Sequence, residues 1–152
     1  LSPVARYSFK TYIIYLGFTT EVCMPIHESG QMYLETIYIL SQKSTYVRAI
    51  DVGEQLGFSK PSVSRALSIL KRDGHVSVDD SGAITLTESG LAIAQTMYTR
   101  HTILSQMLMK LGVDEKTATE DACRIEHVIS EKSFSAVRAH MEQVLNAHKK
   151  LP

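Results

Sequence analysis

The sequence predicts a mainly α protein with one small β-hairpin: an N-terminal winged helix-turn-helix followed by a purely helical unit. Three observations predict it. Three helical stretches precede two short alternating segments, "HVSVD" and "AITLT", parted by the turn former "DSG". Three further helical stretches follow, joined by connections short enough to pack them as antiparallel neighbours. No internal repeat, low-complexity tract or long linker interrupts this order.

The chain has 152 residues, 44% of them hydrophobic and 21% charged, enough for a packed core in one compact domain or two small ones. Sixteen basic residues balance sixteen acidic ones, which excludes a wholly electrostatic, histone-like binder but leaves room for a local basic surface. Two cysteines cannot build a disulfide framework, so a reducing, cytoplasmic setting is expected. Residues 1–23 contain "TYIIYLGF", an apolar run too short to span a membrane. Arg6 and Lys10 precede it as in a signal peptide, yet no small-x-small cleavage pattern follows. This stretch is read as an N-terminal extension without assigned function, forming at most a short helix or strand. The organisation is then a winged helix-turn-helix over 24–87 and a helical unit over 88–152.

The first patterned helix covers about Gln31 to Gln42, where Tyr33, Ile37 and Leu40 recur at helical spacing. Ala49 to Leu56 forms a short helix ended by Gly57. Ser59 suits the N-cap of the next, and Pro61 its first turn; Val63, Ala66, Leu67 and Leu70 share one face, and Gly74 stops it after Asp73. Beyond the hairpin, Thr87 caps a long helix running to about Leu111, closed by Gly112. Asp114 caps another, to about Ile129, and the last covers about Ser133 to Ala147.

The outward residues at the start of the third helix are Ser59, Lys60, Pro61, Ser62, Ser64 and Arg65. They are small or basic, as a helix entering a DNA major groove requires: small groups allow close approach, and Lys and Arg reach phosphates or guanine edges. Lys71 and Arg72 extend the basic surface. The alternatives are a helical hairpin with a solvated polar face, or a winged helix that binds protein.

The stretch "ACRIEH" places a thiol, a carboxylate and an imidazole at Cys123, Glu126 and His127. On a helix these positions lie together over an arc of about 100°, bordering the apolar stripe of Ala122, Ile125 and Ile129. With Gly112 as the apex of a helical hairpin, His101 lies eleven residues before it and Cys123 eleven after, so the two should sit at one level. Met32 and Glu35 form a further donor pair three residues apart on the first helix. Taken singly, each residue has an ordinary reading: Cys123 and Met32 as core, Glu126 as a solvated charge, the histidines as surface residues.

From about Gln31 to His140 the chain resembles the diphtheria-toxin-repressor family, the metal-dependent repressors that include iron-dependent repressors and manganese transport regulators. "QMYLETIYIL", "FSKPSVSRALSILKRDGHV", "ITLTESG", "RHTILSQML" and "DACRIEHVIS" match family segments in order. The resemblance implies a homodimer that binds a pseudo-palindromic operator in double-stranded DNA, with the helical unit as metal-binding and dimerisation domain and no membrane partner. It implies Met32, Cys123, Glu126 and His127 as the primary site of iron-responsive members, with Glu35 and His101 as ligands of manganese-responsive ones; His101 is also an ancillary ligand of the iron type. The chain departs from both patterns. Ser105 and Thr119 stand where the iron type's ancillary site has a carboxylate and a histidine, and Met32 and Cys123 stand where the manganese type has acidic residues. An iron-type C-terminal β-barrel is not seen before Pro152.

The function expected is therefore a metal-dependent transcriptional repressor, not an enzyme. Thiolate and thioether favour Fe(II) over Mn(II), with Co(II), Ni(II) and Zn(II) also compatible with the donors. The alternatives are an Mn(II)-responsive regulator of the same family and a winged-helix regulator that uses no metal.

Overall fold

The structure is a computed structural model that describes residues 26–148. The N-terminal extension lies outside the described residues. Six helices and one hairpin follow in the order α1 (Ile26–Ser41), α2 (Ala49–Leu56), α3 (Lys60–Arg72), β1 (Val76–Val78), β2 (Ile84–Leu86), α4 (Glu88–Lys110), α5 (Glu115–Ile125) and α6 (Glu131–His148). Contacts divide the chain into two compact units, one ending at Thr96 and one beginning at Met97. Among the described residues, no helix is long and apolar enough to cross a membrane.

The N-terminal unit is built on α1, which is buried along Tyr33, Leu34 and Ile37. These side chains meet Val52 and Leu56 of α2, Val63, Leu67 and Leu70 of α3, and Val76 and Ile84 of the hairpin. Apolar residues at a period of three to four in each helix make one stripe per helix, and three stripes close on one core. Two turns into α4, Ile93 and Ala94 still pack in this core, which is why the division falls inside that helix.

The helix-turn-helix is set by its turn. Asp51 accepts from the Arg48 backbone N–H at 2.8 Å to start α2. Gly57 then takes a left-handed conformation, φ 69°, which costs a residue with a Cβ roughly 1–2 kcal/mol. Only two further residues separate it from Lys60, so α3 turns sharply against α2.

The wing is an antiparallel pair with Val76 opposite Leu86, Ser77 opposite Thr85 and Val78 opposite Ile84. Alternation puts Val76 and Ile84 in the core and Ser77 and Thr85 in solvent. Asp79 holds the turn, accepting from Ser81 N at 2.9 Å, Ser81 Oγ at 2.6 Å and Ala83 N at 2.9 Å. These bonds, the Ser81 hydroxyl first, keep its carboxyl below the ordinary aspartate value. Two bonds tie the wing to the α1–α2 loop: Ile84 N donates to Val47 O at 2.8 Å, and the Tyr46 hydroxyl donates to Ser81 O at 2.7 Å.

In the C-terminal unit Leu104, Ala122 and Phe134 form the core, flanked by Ile103, Met107, Ile125, Ile129 and Val137. Asp114 caps α5 by accepting from Thr117 N at 3.1 Å, as the sequence predicts. The far end of α5 differs from expectation. The helix stops at Ile125 rather than about Ile129. The amides of Val128 and Ile129 both turn back to Ile125 O, which tightens the chain out of the helix. Helix α6 starts earlier than predicted because Ser130 caps it, its Oγ accepting from Ser133 N at 3.2 Å.

Gly90 is where the start of α4 meets the wing: a Cβ there would lie 2.0 Å from the backbone oxygen of His75. Gly90→Ala should therefore force a backbone shift and lower stability by about 1–3 kcal/mol. Urea denaturation followed by helical circular dichroism reads this directly; an unchanged midpoint would contradict the close approach.

Candidate nucleic-acid interface and metal centre

The six residues singled out for DNA, Ser59, Lys60, Pro61, Ser62, Ser64 and Arg65, are all exposed at the start of α3, while Val63 between them is buried. The side chains that anchor the helix and those that face solvent are thus separated on its two sides. Ser59 occupies the N-cap position in extended geometry, but its hydroxyl pairs with Ser62 Oγ at 3.0 Å and makes no side-chain cap bond. That corrects the expectation that its side chain caps the helix. The amides of the first turn thus lack a side-chain cap, and a helix N-terminus attracts anions such as phosphate. Lys71 and Arg72 are exposed at the other end of α3, with Arg72 Nε 2.9 Å from Asp73 Oδ1.

The metal candidates fall in both units. Met32 and Glu35 lie on α1 of the N-terminal unit, both buried, Glu35 at 1% exposure. His101 of α4 and Cys123, Glu126 and His127 at the end of α5 belong to the C-terminal unit. There Glu126 is fully removed from water, at 0% exposure. A buried carboxylate is costly unless polar partners compensate it. His101 Nδ1 stands 2.8 Å from Glu126 Oε2, and His127 Nε2 stands 3.5 Å from Glu126 Oε1. An ionised carboxylate only accepts, so Nδ1 is the His101 nitrogen that donates to it, and Nε2 is the one that faces another partner. That nitrogen lies 3.5 Å from the hydroxyl of Ser105, itself buried.

The helical hairpin brings His101 to the "CRIEH" segment, where its Nδ1 meets Glu126. Ending α5 at Ile125 does not scatter the set, because Glu126 keeps helical dihedrals, φ −57° and ψ −30°. Cys123 is buried one turn earlier. Among the described residues, no three such donors are drawn closely enough together to enclose an ion as they stand.

Sequence reading overlooked Arg100. Its Nη1 donates to Glu126 O at 3.1 Å and to Ile129 O at 3.3 Å, and its Nη2 donates to Glu131. Its guanidinium carbon lies 5.3 Å from the centre of the Phe134 ring. The only sequence clue is its place directly before His101.

A family model described as the iron dependent repressor N-terminal DNA binding domain matches residues 26–84. A second, the iron dependent repressor metal binding and dimerisation domain, matches residues 87–150. The chain belongs to the iron-dependent repressor family. Members of this family are metal-dependent transcriptional repressors rather than enzymes, and so is this chain. It is 32% identical over 117 residues to the HTH-type transcriptional regulator MntR of Lysinibacillus sphaericus, covering 77% of this chain and 84% of that protein. It is 32% identical over 120 residues to the iron-dependent repressor IdeR of Mycobacterium tuberculosis, covering 78% of this chain and 50% of that one. A solved manganese-dependent transcriptional repressor in complex with manganese aligns with a TM-score of 0.69 at 28% identity, over 74% of this chain and 52% of that one. The chain therefore spans about half the length of the last two. Iron and manganese both occur among these relatives, so membership establishes metal dependence and not the ion.

The residues fit a transition metal by chemistry. Imidazole, carboxylate and thiol sit within one turn, and a carboxylate shielded from water is a stronger ligand than a solvated one. His101→Ala removes one partner of the buried Glu126 carboxylate. In metal-free protein it should cost roughly 1–3 kcal/mol of stability, measured by chemical denaturation, with Glu126→Gln affected less by the same change; equal stability of His101→Ala and wild type would contradict the pairing.

Proposed function

We propose that the chain is a cytoplasmic, homodimeric repressor activated by Fe(II), which joins DNA binding to the supply of that metal. Cys123, Glu126 and His127 would hold the ion together with Met32, and Glu35 and His101 would serve as further ligands. The observation that carries this reading is the Glu126 carboxylate, held out of water against His101 and His127, with Cys123 buried one turn earlier on the same segment. The donor types support Fe(II): a thiol and a thioether accompany the imidazoles, and Mn(II) prefers carboxylate and water.

The DNA-facing residues act independently of that choice. The small Ser59, Ser62 and Ser64 let α3 approach the groove floor, Lys60 reaches phosphate, and Arg65 reaches phosphate or a guanine edge. Two such helices, one from each protomer, suit half-sites in successive major grooves of a pseudo-palindromic operator. By linkage, metal and operator strengthen each other's binding, typically by about 1–3 kcal/mol.

A second reading, an Mn(II)-responsive repressor, is favoured by Glu35 and by the likeness to a manganese-bound repressor. Anaerobic titration with Fe(II) and Mn(II), read by binding to a duplex selected from a random pool, separates the two. In that assay Cys123→Ala should lose most of the Fe(II) response; an equal response would remove Cys123 from the site. Arg65→Ala should weaken operator binding by about 1–3 kcal/mol if it reads a base, or flatten the salt dependence by about one contact if it binds phosphate. No change in either quantity would show that α3 does not dock as described.

A further inference from the structure

We propose that Arg100 is a positioning residue that pre-forms the loop presenting Glu126 and His127 to the metal. This rests on the metal reading above and adds a residue to it. The last carbonyls of a helix have no partner within the helix, and the negative end of its dipole lies there. At the end of α5 one guanidinium meets both needs. Arg100 Nη1 donates to the carbonyls of Glu126 and Ile129, the two ends of the segment that leaves the helix. Its other arm donates to Glu131 at the start of α6, and its face lies over Phe134, a core residue. The side chain is 13% exposed, so this grip is made largely out of water.

The consequence concerns Glu126. Consecutive residues of α4 hold it twice: His101 by its carboxylate and Arg100 by its carbonyl. The side chain alone could swing about its torsions, and the backbone alone could carry the carboxylate in any rotamer. Held at both points, Glu126 keeps one position, and His127, the next residue, is fixed with it. Lysine cannot substitute. Its ammonium is a point charge, whereas the planar fork of arginine serves two carbonyls and a carboxylate while stacking on a ring. Glu131 is the dispensable partner, since its side chain is 73% exposed.

The test uses the full chain, stripped of metal, with Co(II) as the probe, because its visible absorption reports thiolate and imidazole ligation. Arg100→Lys should remain helical and bind Co(II) about 10–100-fold more weakly, the range found when groups that orient metal ligands are lost. Glu131→Gln should stay within about threefold of wild type, since the carbonyl contacts survive. The proposal is overturned if folded Arg100→Lys binds Co(II) like wild type, or if Glu131→Gln loses as much as Arg100→Lys. Wild-type protein supplies a second measurement should Arg100→Lys fail to fold. Amide hydrogens of Val128 and Ile129 should already be protected from exchange without metal. Protection that arises only on adding Co(II) would show that the loop is not pre-formed. Wild type that binds no Co(II) at all would instead sink the metal reading itself.

Discussion

A carboxylate with no access to water organises the C-terminal half of this protein. Burying an ionised Glu126 is unfavourable by itself, so partners must converge on it from more than one element. His101 comes from α4, His127 from the adjacent residue, and Arg100 secures the backbone that carries it. His101 and Arg100, both on α4, hold the end of α5 in register through directed bonds of 2.8 Å and 3.1 Å, which fix position more narrowly than apolar contact does. The buried carboxylate has its polar partners in place, at a cost in stability set by how completely they compensate the charge.

The N-terminal unit follows a different economy. Its core is apolar, drawn from α1, α2, α3 and the hairpin, and its polar work is done at the edges. The wing is stitched to the α1–α2 loop by two hydrogen bonds, one from Tyr46 and one from Ile84. Its turn is held by one aspartate with three donors. The exposed side of α3 is left with serines, a lysine and an arginine. The chain has no net charge, yet α3 carries Lys60, Arg65, Lys71 and Arg72 and no acidic residue, which makes it locally basic.

Membership of the iron-dependent repressor family establishes a metal-dependent repressor, and the donor set then departs from two familiar patterns at once. The proposed donors mix soft groups, at Met32 and Cys123, with harder ones, at Glu35 and Glu126. Ser105, buried near His101 Nε2, offers a hydroxyl where an ancillary site would require a carboxylate.

Local chemistry determined most of the architecture. Helical periodicity in α1 to α6, Gly57 after α2, Asp114 before α5 and the "DSG" turn were enough to order the elements, because each depends on residues within a few positions. The same reading placed His101 beside the "CRIEH" segment, since rise per residue makes distances along a helical hairpin countable. Tertiary structure alone decided the rest. The Glu126 carbonyl just past the end of α5 is held by Arg100, 26 positions earlier, and no local rule foretells a contact delivered from another helix. The choice of Glu126 as the partner of His101, and its full burial, likewise depend on how side chains pack between helices. Spacing can bring residues to the same level, but only packing chooses which of them touch.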